Sequence, residues 1–326
     1  MYSSADHWMM MADHVRGAAY AEALRRLVRP GSVVVDIGTG TGAFALQAAR
    51  LGADRVYAIE YDDSIQVARA LAAANGLGDK IEFMQAFSTD VKLPQRADVI
   101  VSDLRGVLPL HAHHIPAIAD AVDRFLAPGG DLIPTRDVIW GSVIDVPELY
   151  RRLVVPWTWH TADLDYEPAR LMAVNRWSKV HVKPEHLLAE AVRWTTLEYS
   201  EVRTPNVQGE MTWTIARSGQ AHGLCLWFET TLTEGVGFSS APGRPELIYG
   251  QGFFPLASPQ TVEPGDVVSV QLAANLIGND YVWRWSTQVT SRNDAKPRVQ
   301  FEQSNFAASP LTSDSLRKEI LRNADP

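Results

Sequence analysis

An α/β domain built on a parallel sheet, followed by a β-rich domain, is the fold class the sequence predicts, on three observations. Up to about residue 145, short apolar runs alternate with Ala-rich helical stretches, the pattern of a parallel sheet covered by helices. From about Val155, Trp, Thr and Val become frequent, and short alternating segments are cut by Gly, Pro and Asn. The 326 residues, at roughly 150 per domain, amount to about two domains.

The first segment, from about His7 to Val28, reads as one long helix that stops at Pro30-Gly31, a pair that cannot continue it. Val33-Val34-Val35 is the first strand, and a helical run from Phe44 to Leu51 follows it. Further strands are expected at Val56-Ile59, Ile81-Met84 and Val99-Val101, with a turn at Asn75-Gly76. In the second half the clearest strands are Met211-Ile215, Val268-Leu272 and Tyr281-Trp285, the last two joined as a hairpin through Gly278-Asn279-Asp280. Eight of the ten tryptophans lie beyond residue 150 and read first as sheet core. Pro156 to Trp177 is neither clean strand nor clean helix, and Ser313 to Arg322 reads as a short amphipathic helix.

Composition narrows the function classes. The net charge of −8, from 30 Lys+Arg against 38 Asp+Glu, argues against sequence-independent binding of nucleic acid, which needs a basic surface. A single cysteine, Cys225, allows no intrachain disulfide and no thiolate zinc cluster. No signal-peptide pattern opens the chain, and no run reaches the ~20 apolar residues of a membrane span. The expectation is a soluble, cytoplasmic protein.

The sharpest signal is Val35-Asp36-Ile37-Gly38-Thr39-Gly40-Thr41-Gly42-Ala43, placed after a strand and before a helix. Glycines there let a ligand approach the backbone at a helix amino terminus, and Glu60, at the end of the second strand, is placed to hold ribose hydroxyls. Asp36 just before the turn suits a ligand with a positive amino group and repels a pyrophosphate. A sulfonium amino acid nucleoside fits better than a nicotinamide dinucleotide. A tight turn without a ligand is the plain structural alternative.

These residues resemble the protein arginine methyltransferases, S-adenosylmethionine enzymes with a Rossmann-like domain followed by a β-barrel. The spacing His7, Met10, Asp13, Arg16, Tyr20 matches the family's amino-terminal helices. Leu126-Ala127-Pro128-Gly129-Gly130 and Gly237-Phe238-Ser239 match its Gly-Gly pair and barrel entry. The resemblance implies cofactor-covering helices over 1–30, a Rossmann-like S-adenosylmethionine-binding domain over 31–145, and a β-barrel domain over 146–326. It implies a homodimer through an arm near 156–177, with Trp157, Trp159 and Tyr166 as anchors. It places Arg16 on the cofactor carboxylate, Asp36, Gly38 and Gly40 on its amino acid portion, and Glu60 on its ribose. Met10, Tyr61, Ser88 and Thr89 complete the expected cofactor site.

The departures concern the acceptor. The family carries two glutamates on the loop after the fourth strand to clamp a guanidinium. Here the positions hold Asp103, an expected catalytic residue, and Ala112, with Arg105 added between them. The family's Thr-His-Trp segment is replaced by Leu247, Ile248 and Tyr249. A guanidinium would meet weaker attraction and a new repulsion. His111, His113 and His114 cluster near the lost glutamate, and His113 or His114 is the expected proton acceptor, with a solvated loop or helix start as the plain reading. Arg105 either binds an acceptor carboxylate or phosphate or pairs with Asp103. Tyr2, Arg105 and Tyr249 are the expected acceptor contacts, with Phe253 and Phe254 as pocket walls or barrel core; no metal site is expected.

The expected function is therefore methyl transfer to a nitrogen or oxygen nucleophile on a small metabolite or modified peptide. The alternatives are a divergent protein arginine methyltransferase and a cofactor-binding scaffold without catalysis.

Overall fold

The structure is a computed structural model that describes residues 9–158 and 164–306. The chain forms two compact units, each discontinuous in sequence. The first comprises Met1–Ile139, Thr195–Pro205 and Trp227–Gly250, the second Trp140–Trp194, Asn206–Leu226 and Gln251–Pro326.

In the first unit, helix α1 (His14–Leu27) precedes β1 (Val33–Ile37), α2 (Ala43–Arg50), β2 (Arg55–Ile59), α3 (Ile65–Ala74), β3 (Ile81–Met84), β4 (Ala97–Ser102), α4 (His114–Arg124) and β5 (Leu126–Ile133). The strands are all parallel, in the order β3-β2-β1-β4-β5. Val34, Val35, Ile37, Val56, Ala58, Ile59, Val99, Ile100 and Val101 are nearly inaccessible, as expected of a sheet covered on both faces. Small residues, Ala45, Ala48 and Ala49 of α2 with Ala68 and Ala72 of α3, are buried as the helices close on it.

The register places the site. Ile37 pairs with both Ile59 and Ser102, and Ile59 pairs with Met84. Strands β1 to β4 therefore end side by side, which sets Gly38, Glu60 and Asp103 along one edge, where the strand order reverses and such sheets bind ligands.

The first helix differs from expectation. Residues 9–12 are helical, but α1 starts anew at His14 because Asp13 caps it, its side chain accepting from Arg16 N at 3.0 Å. A carboxylate at this cap satisfies an otherwise unpaired amide donor and stops a continuous helix.

The second half is mainly β. It contains β6 (Arg136–Ile144), α5 (Pro147–Leu153), α6 (Glu167–Val174), β7 (Ser178–Val180), β8 (Val192–Glu198), β9 (Val207–Thr214), β10 (Gly219–Thr233), β11 (Val236–Ser239), β12 (Gln251–Val262), β13 (Val267–Ile277), β14 (Asp280–Thr290) and β15 (Val299–Ser304). One sheet runs β7-β12-β10-β6-β8, with β11 on β10, and a second runs β15-β14-β13-β9. The hairpin β13–β14 pairs Ile277 with Asp280 across Gly278-Asn279, and Gly278 takes φ 60° as so short a turn requires. Trp194, Trp213, Trp283 and Trp285 are buried, and so are Phe253 and Phe254, which are core rather than pocket wall. The expected arm contains helix α6; Trp159 and the Ser313 to Arg322 segment lie outside the described residues. No described helix is long and apolar enough to cross a membrane.

Candidate cofactor and acceptor site

The turn after β1 is shaped by its glycines and by two carboxylates. Gly38, Gly40 and Gly42 all take positive φ. A Cβ on Gly42 would stand 2.8 Å from the Ala68 Cβ, so a side chain is excluded there by both conformation and space. Asp36 Oδ2 accepts from Thr39 Oγ1 at 2.5 Å and from Ala45 N at 2.9 Å, which ties the turn to the start of α2. Glu60 accepts from Gly40 N at 3.0 Å through Oε2 and from Asp62 N at 2.9 Å through Oε1. It is thereby oriented from both sides at the end of β2.

Asp36 is fully buried, and among the described residues its Oδ1 has no hydrogen-bond partner. Burial pushes its carboxyl up to about 7, against the lowering by Thr39 and Ala45, with Glu60 adding to the rise. An orphaned buried oxygen beside a glycine turn, with a preset second carboxylate, fits a ligand carrying an ammonium group and a ribose. Tyr61 and Phe87 are exposed and stack on each other at 4.8 Å. Ser88 is buried, Thr89 is exposed, and Thr89 Oγ1 reaches Asp90 at 3.4 Å.

At the end of β4 the chemistry is of the opposite kind. Arg16 Nε donates to Asp103 Oδ2 at 2.5 Å and to Tyr249 OH at 3.1 Å, and its Nη1 donates to the Met10 carbonyl at 3.2 Å. Tyr249 OH also donates to Asp103 Oδ2 at 2.6 Å. The other oxygen, Oδ1, accepts from Arg105 Nε at 3.1 Å. Burial alone would raise the Asp103 carboxyl, but Arg16 and Arg105 hold it down at about 2. Asp103 is thus ionised, and both its oxygens are engaged by this chain.

Arg105 itself has a fully buried side chain. Its Nη1 donates to Asp137 Oδ1 at 3.0 Å and to Thr230 Oγ1 at 2.7 Å, and its Nη2 donates to Tyr20 OH. Tyr20 OH donates in turn to the Ser102 carbonyl at 2.9 Å. Of the two sequence readings for Arg105, the geometry here is that of pairing with Asp103.

His114 is buried. Its Nε2 lies 2.9 Å from Tyr199 OH, which donates to Asp137 Oδ2 at 2.5 Å. Because the Tyr199 proton goes to the carboxylate, His114 donates through Nε2. Burial, then Arg105, push its pKa down to about 3, so it is a weak base at neutral pH. His113 caps α4 and is exposed, as is His111. Ala112, where a second carboxylate was sought, takes φ 41°, a left-handed conformation uncommon for alanine. Tyr2 lies outside the described residues. Among those that are described, no three His, Cys, Asp or Glu side chains gather as a metal site.

Sequence reasoning missed Asp137, Tyr199 and Thr230. The one local signal was an aspartate inside the apolar strand β6, where a charge is costly unless paired.

Comparisons with known proteins reach both halves of the chain. The family model for ribosomal protein L11 methyltransferase matches residues 13–135, and that for the arginine methyltransferase oligomerization subdomain matches residues 148–288. An arginine N(omega)-methyltransferase of Streptomyces achromogenes subsp. streptozoticus is 27% identical over 275 residues, covering 82% of this chain and 75% of that one. The human protein arginine N-methyltransferase 2 is 29% identical over 311 residues, covering 88% and 71%. Among solved structures, Arabidopsis thaliana protein arginine methyltransferase 10 superposes with a TM-score of 0.83 at 21% identity, covering 91% of this chain and 96% of that one. The Trypanosoma brucei PRMT1 enzyme-prozyme complex with AdoHcy gives 0.82 at 19% identity, again covering 91% and 96%. These matches make the chain similar to the protein arginine methyltransferases over most of its length, and an S-adenosylmethionine-dependent methyltransferase.

Proposed function

We propose that the protein methylates a nitrogen or oxygen nucleophile of a small metabolite or modified peptide, rather than an ordinary protein arginine. One observation carries the reading: Asp103, standing where a guanidinium would be clamped, already receives Arg16, Arg105 and Tyr249. The second clamp position is Ala112.

S-adenosylmethionine, when bound, supplies an electrophilic methyl group. Arg16, Asp36, the Gly38 and Gly40 turn and Glu60 would hold it, with Met10, Tyr61, Ser88 and Thr89 around them. Asp103 positions Arg16 and Tyr249 beside that site. What the protein adds is alignment and exclusion of water. The exposed His113 is the remaining candidate for taking the proton a nucleophile loses. We also propose that the chain assembles as a homodimer through the segment near 156–177, which overlaps the match to the oligomerization subdomain.

The test is S-adenosylhomocysteine release by the purified protein with arginine-rich peptides, free arginine and a fractionated host extract, reading the product by mass spectrometry. Release with an extract fraction alone is expected. Methylarginine would instead support the divergent arginine methyltransferase that the names of the relatives favour. Cofactor binding with no transfer to any acceptor would support a scaffold.

A further inference from the structure

We infer that the pocket around Arg105 is a guanidinium cage filled by this chain's own side chain, and that Arg105 is the residue that excludes guanidinium acceptors. The methyl acceptor is then an uncharged nucleophile, an inference that rests on the methyl-transfer reading above and names its substrate class.

The cage has the chemistry of a planar, forked cation. Asp103 takes Nε, Asp137 and Thr230 take Nη1, and Tyr20 takes Nη2. The ring centroids of Phe228, Phe238, Tyr249 and Tyr20 lie 5.4, 5.4, 5.7 and 5.9 Å from the guanidinium carbon. An ammonium could not meet such divergent acceptors at once, because a lysine presents a compact point charge. Side-chain exposure is 0% for Arg105 and Asp137 and 5% for Asp103, so water does not compete.

The charge balance is closed. Arg16 and Arg105 face Asp103 and Asp137, two positive groups against two negative, while His114 is neutral. A guanidinium acceptor brought beside Asp103 would add a third cation with no anion left for it, and an unpaired charge in a dry setting is costly. A neutral amine, hydroxyl or amide-like nitrogen carries no such penalty.

The test uses ethylguanidinium chloride as the probe and the melting temperature of the full chain as the readout, with ethylammonium and N-ethylurea as controls. Arg105→Ala is expected to rise by on the order of 3 °C at about ten times the dissociation constant of the probe. The unsubstituted protein, and the variant with either control, should not respond. A folded Arg105→Ala that ignores ethylguanidinium, or an equal response from the unsubstituted protein, overturns the cage. Should Arg105→Ala fail to fold on its own, its refolding from urea is expected to recover with ethylguanidinium present but not with ethylammonium or N-ethylurea; no recovery, or recovery with either control, overturns the proposal. Methylarginine formed by the unsubstituted protein would overturn both this proposal and the functional reading, whereas a silent probe with no methylarginine overturns the cage alone.

Discussion

Asp36 and Asp103 are both buried carboxylates at the ends of neighbouring parallel strands, yet their charge states move apart. Asp36 has amide and hydroxyl donors on one oxygen and, among the described residues, none on the other, and burial pushes it up to about 7. Asp103 suffers the same burial but lies against Arg16 and Arg105, which hold it at about 2. Burial sets the penalty for ionising a carboxylate; the partners decide whether it is met. One end of the site is left open to an incoming cation, and the other is closed by cations of the chain itself.

The closed end should break most expensively. Asp137→Ala leaves Arg105 short of a partner in a dry pocket and is expected to destabilise the fold by about 3 to 5 kcal/mol, read from urea unfolding. The open end should dominate the pH dependence. Between about pH 4 and pH 7 folded Asp36 keeps a proton that the unfolded chain, with its ordinary 3.8, has lost. Stability therefore falls as pH rises through that window, by up to about 1.4 kcal/mol per pH unit. Asp103 acts in the other direction: its contribution is present above pH 3.8 and is lost as pH falls through about 2. Asp36→Asn should flatten the decline up to pH 7 and leave the acid limb in place; a decline of undiminished slope would show that another group causes it.

Glu60→Gln tests the open end as a ligand site. A glutamine cannot accept through both ends, so S-adenosylhomocysteine should bind about tenfold more weakly by calorimetry. Smallest in effect is Tyr249→Phe, which removes the hydroxyl's hydrogen bonds to Asp103 and from Arg16 Nε while the ion pairs of Arg16 and Arg105 with Asp103 remain. It should cost about 1.5 kcal/mol of stability, and a much larger loss would mean that the hydroxyl organises the whole pocket.

The open end was legible in the sequence because its parts are local: strand, glycine turn and helix follow one another, and Glu60 comes one strand later. The closed end was half legible. Asp103 and Arg105 lie two residues apart and invited pairing, but Asp137, Tyr199 and Thr230 come from three distant segments with no shared motif. The sequence reading likewise treated His114 as free to titrate, since nothing local reveals that Tyr199 will fix its tautomer. The break at Asp13 was hidden because its neighbours all favour helix, and only a capping carboxylate betrays the boundary.

Asp13 has a second role, accepting from Ile248 N at 2.8 Å across 235 residues of sequence. Unit 1 is thus completed by its last segment, with consequences for vectorial synthesis. When Asp137 leaves the ribosome, Asp103 and Arg105 are already made, but the rings of Phe228, Phe238 and Tyr249 are not. At roughly 5 to 20 residues per second they follow on the order of ten seconds later. Until then these charges remain hydrated in the nascent chain, and the glycine turn after β1 can form well before the pocket beside it is sealed.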